Sequence, residues 1–366
     1  MKIIISGGGT GGHIFPALSI ANEIRRRFPE AGILFIGAKD RMEMQRVPEA
    51  GYKIKGLPVS GFNRSSKLKN IGVAWRLLKS LFLAHKYVRR FKPDAVVGVG
   101  GYASGPTLWM ASLLGIPTIL QEQNSYAGIT NKLLAKRAAK ICVAYRGMNR
   151  FFPADRIVLT GNPVRKDLEN VKPKNPEAYR YFSLQNDRPV LLVLGGSLGA
   201  RTVNNGVKNG LKVITDSGVQ VIWQTGKNYF DKILEELKDE MPDNVWISDF
   251  ISRMDYAYSI ADLVVSRAGA GTISELCLLG KPAILVPSPN VAEDHQTMNA
   301  LALSDNQAAV LLRDKDATDL LAPTVLSVIT DKAKLQALSE HIIGFAQNNS
   351  AERIVNEIVS VLRIEN

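Results

Sequence analysis

Two stretches of this chain share one pattern, and together they restrict its fold more than any other feature. Met1-Lys2-Ile3-Ile4-Ile5-Ser6 is a β-branched run that passes directly into Gly7-Gly8-Gly9-Thr10-Gly11-Gly12-His13. An amphipathic stretch follows, with Ile14, Leu18, Ala21 and Ile24 on one face. Pro189-Val190-Leu191-Leu192-Val193-Leu194 passes in the same way into Gly195-Gly196-Ser197-Leu198-Gly199-Ala200, with a helix starting near Arg201. Each reads as strand, glycine loop, helix. Five glycines in the six positions 7–12 exceed what a tight turn requires. They suit backbone held at positive φ or brought close to a ligand. The helix behind such a loop offers unpaired N–H groups and the positive end of its dipole, so the loop suits an anion or a polar ring edge.

The rest of the chain extends the pattern. Strand-like runs at 32–37, 95–99, 115–120 and 141–144 alternate with helical stretches in the first half. Runs at 219–223, 245–247, 263–266, 283–286 and 308–312 do so in the second. Gly100-Gly101-Tyr102-Ala103-Ser104-Gly105-Pro106 is a further glycine loop between a strand and a helix. Such alternation predicts parallel sheets covered on both faces. The polar stretch 166–187, with Pro173 and Pro176, reads as the connection between halves. The expected fold class is α/β: two doubly wound Rossmann-like domains facing a cleft, over residues 1–162 and 163–345. A last helix lies within 346–366 and can pack back on the first domain.

A chain of 366 residues with 46% apolar and 22% charged residues is globular and large enough for two cores. The first apolar run is too short for a signal peptide, and no stretch reaches the length of a membrane span. Cys142 and Cys277 sit in apolar runs and read as buried free thiols. The net charge of +12 calls for an acidic partner. Between Arg64 and Lys92 nine Lys or Arg side chains occur with no Asp or Glu. Helical spacing there gives two apolar stripes, Ile71-Trp75-Leu78-Phe82 and Leu77-Leu81-Ala84-Val88, more than one packed face needs. A basic helix with a surplus apolar edge suits an anionic membrane surface rather than nucleic acid.

Gly7-x-Gly9-x-x-Gly12 satisfies the dinucleotide fingerprint, which raises a dehydrogenase. The acid that should follow the second strand is missing, since that strand ends Gly37-Ala38-Lys39 with Asp40 later than required. Two glycine-rich halves suit a two-substrate transferase better. Ser266-Arg267-Ala268-Gly269-Ala270-Gly271-Thr272-Ile273-Ser274-Glu275 reads as strand end, small-residue loop and helix start, able to take a diphosphate. Glu275 can accept from two ribose hydroxyls, and Thr272 with Glu275 also has capping-box spacing. The helix opening at Glu293–Asn299 carries amides and hydroxyls suited to a sugar. Asp314-Lys315-Asp316 mimics a metal-binding signature but reads as a helix cap.

These motifs, in this order and together with Glu122-Gln123-Asn124 and Gly161-Asn162-Pro163-Val164-Arg165, resemble those of the MurG family of N-acetylglucosaminyltransferases over residues 1 to about 300. The resemblance implies the GT-B fold and an inverting transfer without cofactor or bound metal. It implies UDP-N-acetylglucosamine as donor and undecaprenyl-diphosphate-linked muramyl-pentapeptide as acceptor, at the cytoplasmic face of the inner membrane. It further implies donor contacts from Thr10, Gly11, Gly12 and Asn124 in the first domain. From the second it implies Arg165, Ser197, Ile251, Ala270, Gly271, Thr272, Ile273, Ser274, Glu275 and Gln296. Phe250-Ile251 corresponds to the segment that caps the uracil. Gly100, Gly101, Tyr102 and Ser104 correspond to the acceptor-diphosphate loop. Gln121 stands where many relatives carry His, and Thr297 where some carry a second Gln. A base is needed to take the acceptor's proton: His13 is the first candidate and Glu122 the second. Within the same fold class, a UDP-sugar epimerase is the alternative chemistry.

Overall fold

The computed structural model describes residues 1–60, 69–165, 168, 170–196, 198–238 and 240–363. The chain forms two units, Met1–Val164 with Gln347–Asn366, and Arg165–Ala346. The expected loop residue Ser197 and the first part of the Arg64–Lys92 stretch lie outside the described residues.

The first unit holds seven parallel strands: β1 Lys2–Ser6, β2 Gly32–Ala38, β3 Lys53–Leu57, β4 Ala95–Gly98, β5 Thr118–Glu122, β6 Lys140–Val143 and β7 Ile157–Leu159. Helices α1 Gly11–Arg27, α2 Glu43–Glu49, α3 Lys69–Phe91, α4 Ser104–Leu113 and α5 Ile129–Leu134 connect them. The strand order is β3-β2-β1-β4-β5-β6-β7. Buried on both faces, the strands need no polar alternation. Ile3, Ile4 and Ile5 are fully buried. Ile3 and Ile5 meet Ile20 and Ile24 of α1, while Ile4 joins Ala84 and Val88 of α3 on the opposite face.

The second unit holds α6 Pro176–Phe182, β8 Val190–Leu194, α7 Arg201–Asp216, β9 Gln220–Gln224, α8 Phe230–Leu237, β10 Val245–Ser248, α9 Met254–Ile260 and β11 Leu263–Ser266. It continues through α10 Ala270–Leu279, β12 Ala283–Leu285, α11 His295–Ser304, β13 Val310–Leu311, α12 Ala317–Ile329 and α13 Lys332–Ile343. The chain then returns to the first unit as α14 Ser350–Leu362. The order of the second sheet, β10-β9-β8-β11-β12-β13, repeats that of the first. In both sheets the order reverses beside the opening strand, between β1 and β4 and between β8 and β11. Each glycine loop leaves a strand there, at the crevice where such sheets take ligands.

Three readings change. The polar stretch 166–187 contains α6, whose Ala178, Tyr179 and Phe182 are buried. Asn175 caps it by accepting from Glu177 N, and Pro176 suits its first position. Gln121 and Glu122, read as beyond the strand, are the last residues of β5. Strand β7 carries only three half-buried residues, too weak a pattern to read. Cys142 and Cys277 are buried free thiols whose burial pushes each up to about 12, consistent with inert core positions.

α14 lays Ile354, Val355, Ile358 and Val359 into the same core as Ile3, Ile5, Ala17 and Ile20. Gly161 has φ +82°, and a Cβ there would lie 2.3 Å from Cβ of Gln347. The strand that ends the first sheet and the segment returning to it therefore pass backbone to side chain with no room for a larger residue.

Candidate active site

In the first unit the loop after β1 is held in an uncommon conformation. Gly8 and Gly9 have φ +143° and +92°, and Thr10 is extended before α1 begins. A Cβ on Gly8 would meet a Glu43 carboxylate oxygen at 2.1 Å. Glu43, the first residue of α2 and 1% exposed, was not recognised in the sequence. Its Oε2 accepts from Gly9 N at 3.0 Å and its Oε1 from Ala38 N at 2.9 Å. The acid missing from the dinucleotide fingerprint thus has a counterpart in space, but its two oxygens hold the protein's own loop rather than a ribose. Glu43→Gln should cost about 1–3 kcal/mol, because the amide turns an N–H toward one of two backbone donors. A lowered Tm with a raised donor KM is the expected result.

The loop after β4 interlocks with the first. Gly100 and Gly101 have φ +90° and +84°. A Cβ on Gly101 would lie 2.3 Å from Gly8 O, and one on Gly100 would lie 2.9 Å from His13 Nε2. His13 Nδ1 is 3.2 Å from Gly8 O and 3.2 Å from Thr10 Oγ1. A carbonyl only accepts, so in the neutral ring the proton sits on Nδ1 and the lone pair on Nε2, on the side of the second loop. Thr10 and Gly12 are exposed, Gly11 and His13 partly so. Tyr102 is 54% exposed at the start of α4.

Two expectations fail in this unit. Ser104 is fully buried, and its hydroxyl donates to Ser6 O and Gly100 O, both at 2.8 Å. It pins β1 to the second loop and does not face a ligand. Glu122 is 2% exposed, with Oε1 accepting from Asn124 N at 3.1 Å and Asn124 Nδ2 at 3.3 Å. Its Oε2 accepts from Asn131 Nδ2 at 2.8 Å and Gly128 N at 3.1 Å. Burial pushes its carboxyl up, while Asn131 and the other donors pull it down. A buried carboxylate with both oxygens engaged orders residues 122–131, Asn124 among them, and is not built to collect a substrate proton. Gln121 is equally internal: its Nε2 donates to Asn162 Oδ1 at 2.8 Å, and Asn162 Nδ2 donates to Gln123 O at 2.9 Å.

In the second unit Gly196 and Gly199 have φ +77° and +93°. Gly226, another residue the sequence did not single out, backs this loop: a Cβ there would lie 2.1 Å from Gly199 N. The Ser266–Glu275 run folds as expected, with Gly269 capping α10 in extended conformation. The N–H groups of Ala270, Gly271 and Thr272 belong to the first turn, which has no acidic residue. Ile273 N continues the helix to Gly269 O at 3.0 Å, and Ser274 Oγ donates to Ala270 O at 2.9 Å. No capping box forms. Glu275 instead accepts from Tyr258 Oη at 2.8 Å and faces Arg165 Nε at 3.5 Å.

Around this helix start the remaining expected residues are distributed unevenly. Ile251 is 1% exposed, with its N–H donated to Gln224 Oε1 at 2.9 Å, so any contact it makes to a base is a main-chain one. Phe250 beside it is 57% exposed. Gln296 accepts from Ser288 N at 2.9 Å, closing the loop after β12. Asn299 is buried and donates to Ala268 O at 3.3 Å, so it braces the loop before α10 rather than facing a sugar. Asp316 is the N-cap residue of α12, without a side-chain cap bond, and Asp314 has another role. With Thr202 it holds Arg267, whose Nη1 also donates to Val286 O at 3.1 Å. That cluster joins the ends of β11 and β12 to the start of α7. Among the described residues no group of three His, Cys, Asp or Glu side chains is gathered to bind a metal ion.

Two parallel sheets, each with a glycine loop and a helix N-terminus at its reversal point, give the doubly wound two-unit architecture of the GT-B fold class. The glycosyltransferase family 28 N-terminal domain matches residues 3–143, and the glycosyltransferase family 28 C-terminal domain matches residues 190–357. A UDP-N-acetylglucosamine--N-acetylmuramyl-(pentapeptide) pyrophosphoryl-undecaprenol N-acetylglucosamine transferase from Parabacteroides distasonis is 62% identical over 99% of this chain and 98% of its own. The relative of the same name from Porphyromonas gingivalis is 57% identical over 100% and 97%. The crystal structure of Acinetobacter baumannii MurG superimposes with a TM-score of 0.78 at 29% identity, covering 98% of this chain and 99% of that one. The chain belongs to the MurG family of family 28 glycosyltransferases.

Proposed function

We propose that this enzyme moves N-acetylglucosamine from UDP-N-acetylglucosamine, with inversion, to the 4-hydroxyl of undecaprenyl-diphosphate-linked N-acetylmuramyl-pentapeptide. The observation that carries the reading is full-length likeness, at 62% identity, to a transferase whose name specifies this acceptor and this sugar. In the second unit the first turn of α10, Ala270 to Thr272, takes the donor diphosphate, and Glu275 takes the ribose hydroxyls. Ile251 contacts the base through its main chain, and Ser197, Ser274, Gln296 and Arg165 complete the donor contacts. In the first unit Thr10, Gly11, Gly12 and Asn124 face the donor sugar. Gly100, Gly101 and Tyr102, at the N-terminus of α4, take the acceptor diphosphate.

His13 Nε2 accepts the proton of the 4-hydroxyl as that oxygen bonds to the anomeric carbon. The bond from that carbon to the diphosphate oxygen breaks on the opposite side, and UDP leaves. The charge that builds on the diphosphate falls on the N-terminal dipole of α10, which favours the transition state over the bound donor. Transfer of labelled N-acetylglucosamine to the lipid-linked muramyl-pentapeptide, undiminished by EDTA, is the expected result. Release of a C2-epimerised sugar without acceptor would point to the epimerase instead. Two such epimerases share the fold at 15% and 14% identity, which speaks to fold alone.

The acceptor's lipid requires a surface, and α3 supplies one. Ala84 and Val88 are fully buried, whereas Trp75, Leu78 and Phe82 are 72%, 61% and 70% exposed. The neighbouring α4 and α5 add exposed Trp109, Leu113, Ile129 and Leu133. Arg76, Lys79, Lys86, Arg89 and Arg90 surround the apolar residues of α3. No helix among the described residues is long and apolar enough to cross a membrane. We therefore read this edge as the peripheral attachment to the anionic cytoplasmic leaflet. The double variant Trp75→Ser with Phe82→Ser should bind anionic liposomes roughly tenfold less tightly. Its transfer to a short-chain, water-soluble acceptor should stay close to native.

A further inference from the structure

We infer that Tyr258 is a positioning residue for the nucleotide: through Glu275 it sets how strongly the enzyme distinguishes a ribose from a sugar lacking its hydroxyls. The inference rests on the assignment of Glu275 to the ribose. Tyr258 lies in α9, is 0% exposed, and its phenol is hydrogen-bonded to Glu275 of α10. Its phenol donates to Glu275 Oε2 at 2.8 Å, and Arg165 Nε stands 3.5 Å from the other oxygen. A carboxylate has about four acceptor directions, so these two partners fix its plane without exhausting it. Glu275 lies in the second turn of a helix opened by small residues, and the phenol is a buried donor on its carboxylate. Burial and the adjacent Glu275 charge keep the phenol protonated well above its ordinary range, so it remains a donor at every working pH.

A pre-oriented acceptor favours ligands that bring hydroxyls to the fixed positions and discriminates against those that do not. The test measures binding of UDP and of 2′,3′-dideoxyuridine diphosphate to native enzyme, Tyr258→Phe, Glu275→Gln and the double variant. Tyr258→Phe should cut the preference for UDP roughly three- to tenfold, mainly by weakening UDP, with kcat at saturating donor near native. In the Glu275→Gln background the same change should have no further effect on the ratio. If Tyr258→Phe keeps the native preference, or lowers it equally in the Glu275→Gln background, Tyr258 only supports the core and the inference falls. If Glu275→Gln itself keeps the native preference, the ribose assignment falls and takes the inference with it. Tyr258→Leu gives the same decision should Tyr258→Phe fail to fold, since it too removes the donor and leaves Glu275 in place: a reduced preference supports the inference, and a native preference overturns it.

Discussion

The His13→Ala enzyme should turn over saturating substrates roughly a hundred- to ten-thousandfold more slowly, while binding donor nearly as well as the native protein. The separation follows from what His13 touches. Its Nδ1 is spent on Gly8 O and Thr10 Oγ1, groups of its own loop. Its Nε2 edge lies against Gly100, at the start of the loop after β4. Under the proposed function, removing the ring takes away the proton acceptor and leaves the first turn of α10, proposed for the diphosphate, unchanged. His13→Gln supplies the control, since it preserves a polar contact to the loop without a nitrogen that can take the proton. Equal losses in kcat and in donor affinity would instead mark His13 as a binding contact.

Gly101→Ala is expected to be the most damaging single methyl in the first unit. At φ +84° an alanine is strained, and its Cβ would sit 2.3 Å from Gly8 O, a backbone atom that no rotamer change can move aside. Strain and overpacking together cost about 2–5 kcal/mol. The chain can relieve part of this only by separating the two glycine loops. Because His13 rests on Gly100, that separation also misplaces the base. A shift of about 1 Å can cost on the order of a hundredfold in rate. The expected result is a fall in Tm together with a kcat loss larger than the loss of stability explains under conditions where the variant is folded. Gly115→Ala is the useful contrast. Its φ is +73°, but a Cβ there meets nothing within 4 Å, so it should lose stability to backbone strain alone and keep its rate.

Both predictions concern loops that were visible in the sequence, because local pattern encodes them. A β-branched run, glycines and an amphipathic helix are contiguous, and the repetition at Val190 identified the second sheet. The same alternation pointed to parallel sheets, and the fold supplied their strand order. What escaped was contact between residues distant in sequence. Glu43 reads as an ordinary solvated acid opening a short helix, and nothing local says that it reaches back to Gly9 N. Gly226 gave no signal because its neighbour Gly199 belongs to another loop. Asp314 and Asn299 carry the residue types of a cap and a sugar contact, and only the fold shows them bound to Arg267 and Ala268 O. Ser104 and Glu122 erred the other way. Each lies in a motif with exposed members, yet each faces inward, Ser104 to Ser6 O and Gly100 O and Glu122 to residues 124–131.

The return of α14 to the first sheet has a consequence for how the protein is made. The second unit is contiguous, Arg165–Ala346, whereas the first lacks part of its core until residues 354–359 arrive. Multidomain chains generally complete their domains from the N-terminus as synthesis proceeds. Here the order is inverted: the unit translated first is the one finished last. Until then its Ile20 and Ile24 face lacks its covering helix. On the ribosome the second unit is thus complete while the first still waits for α14.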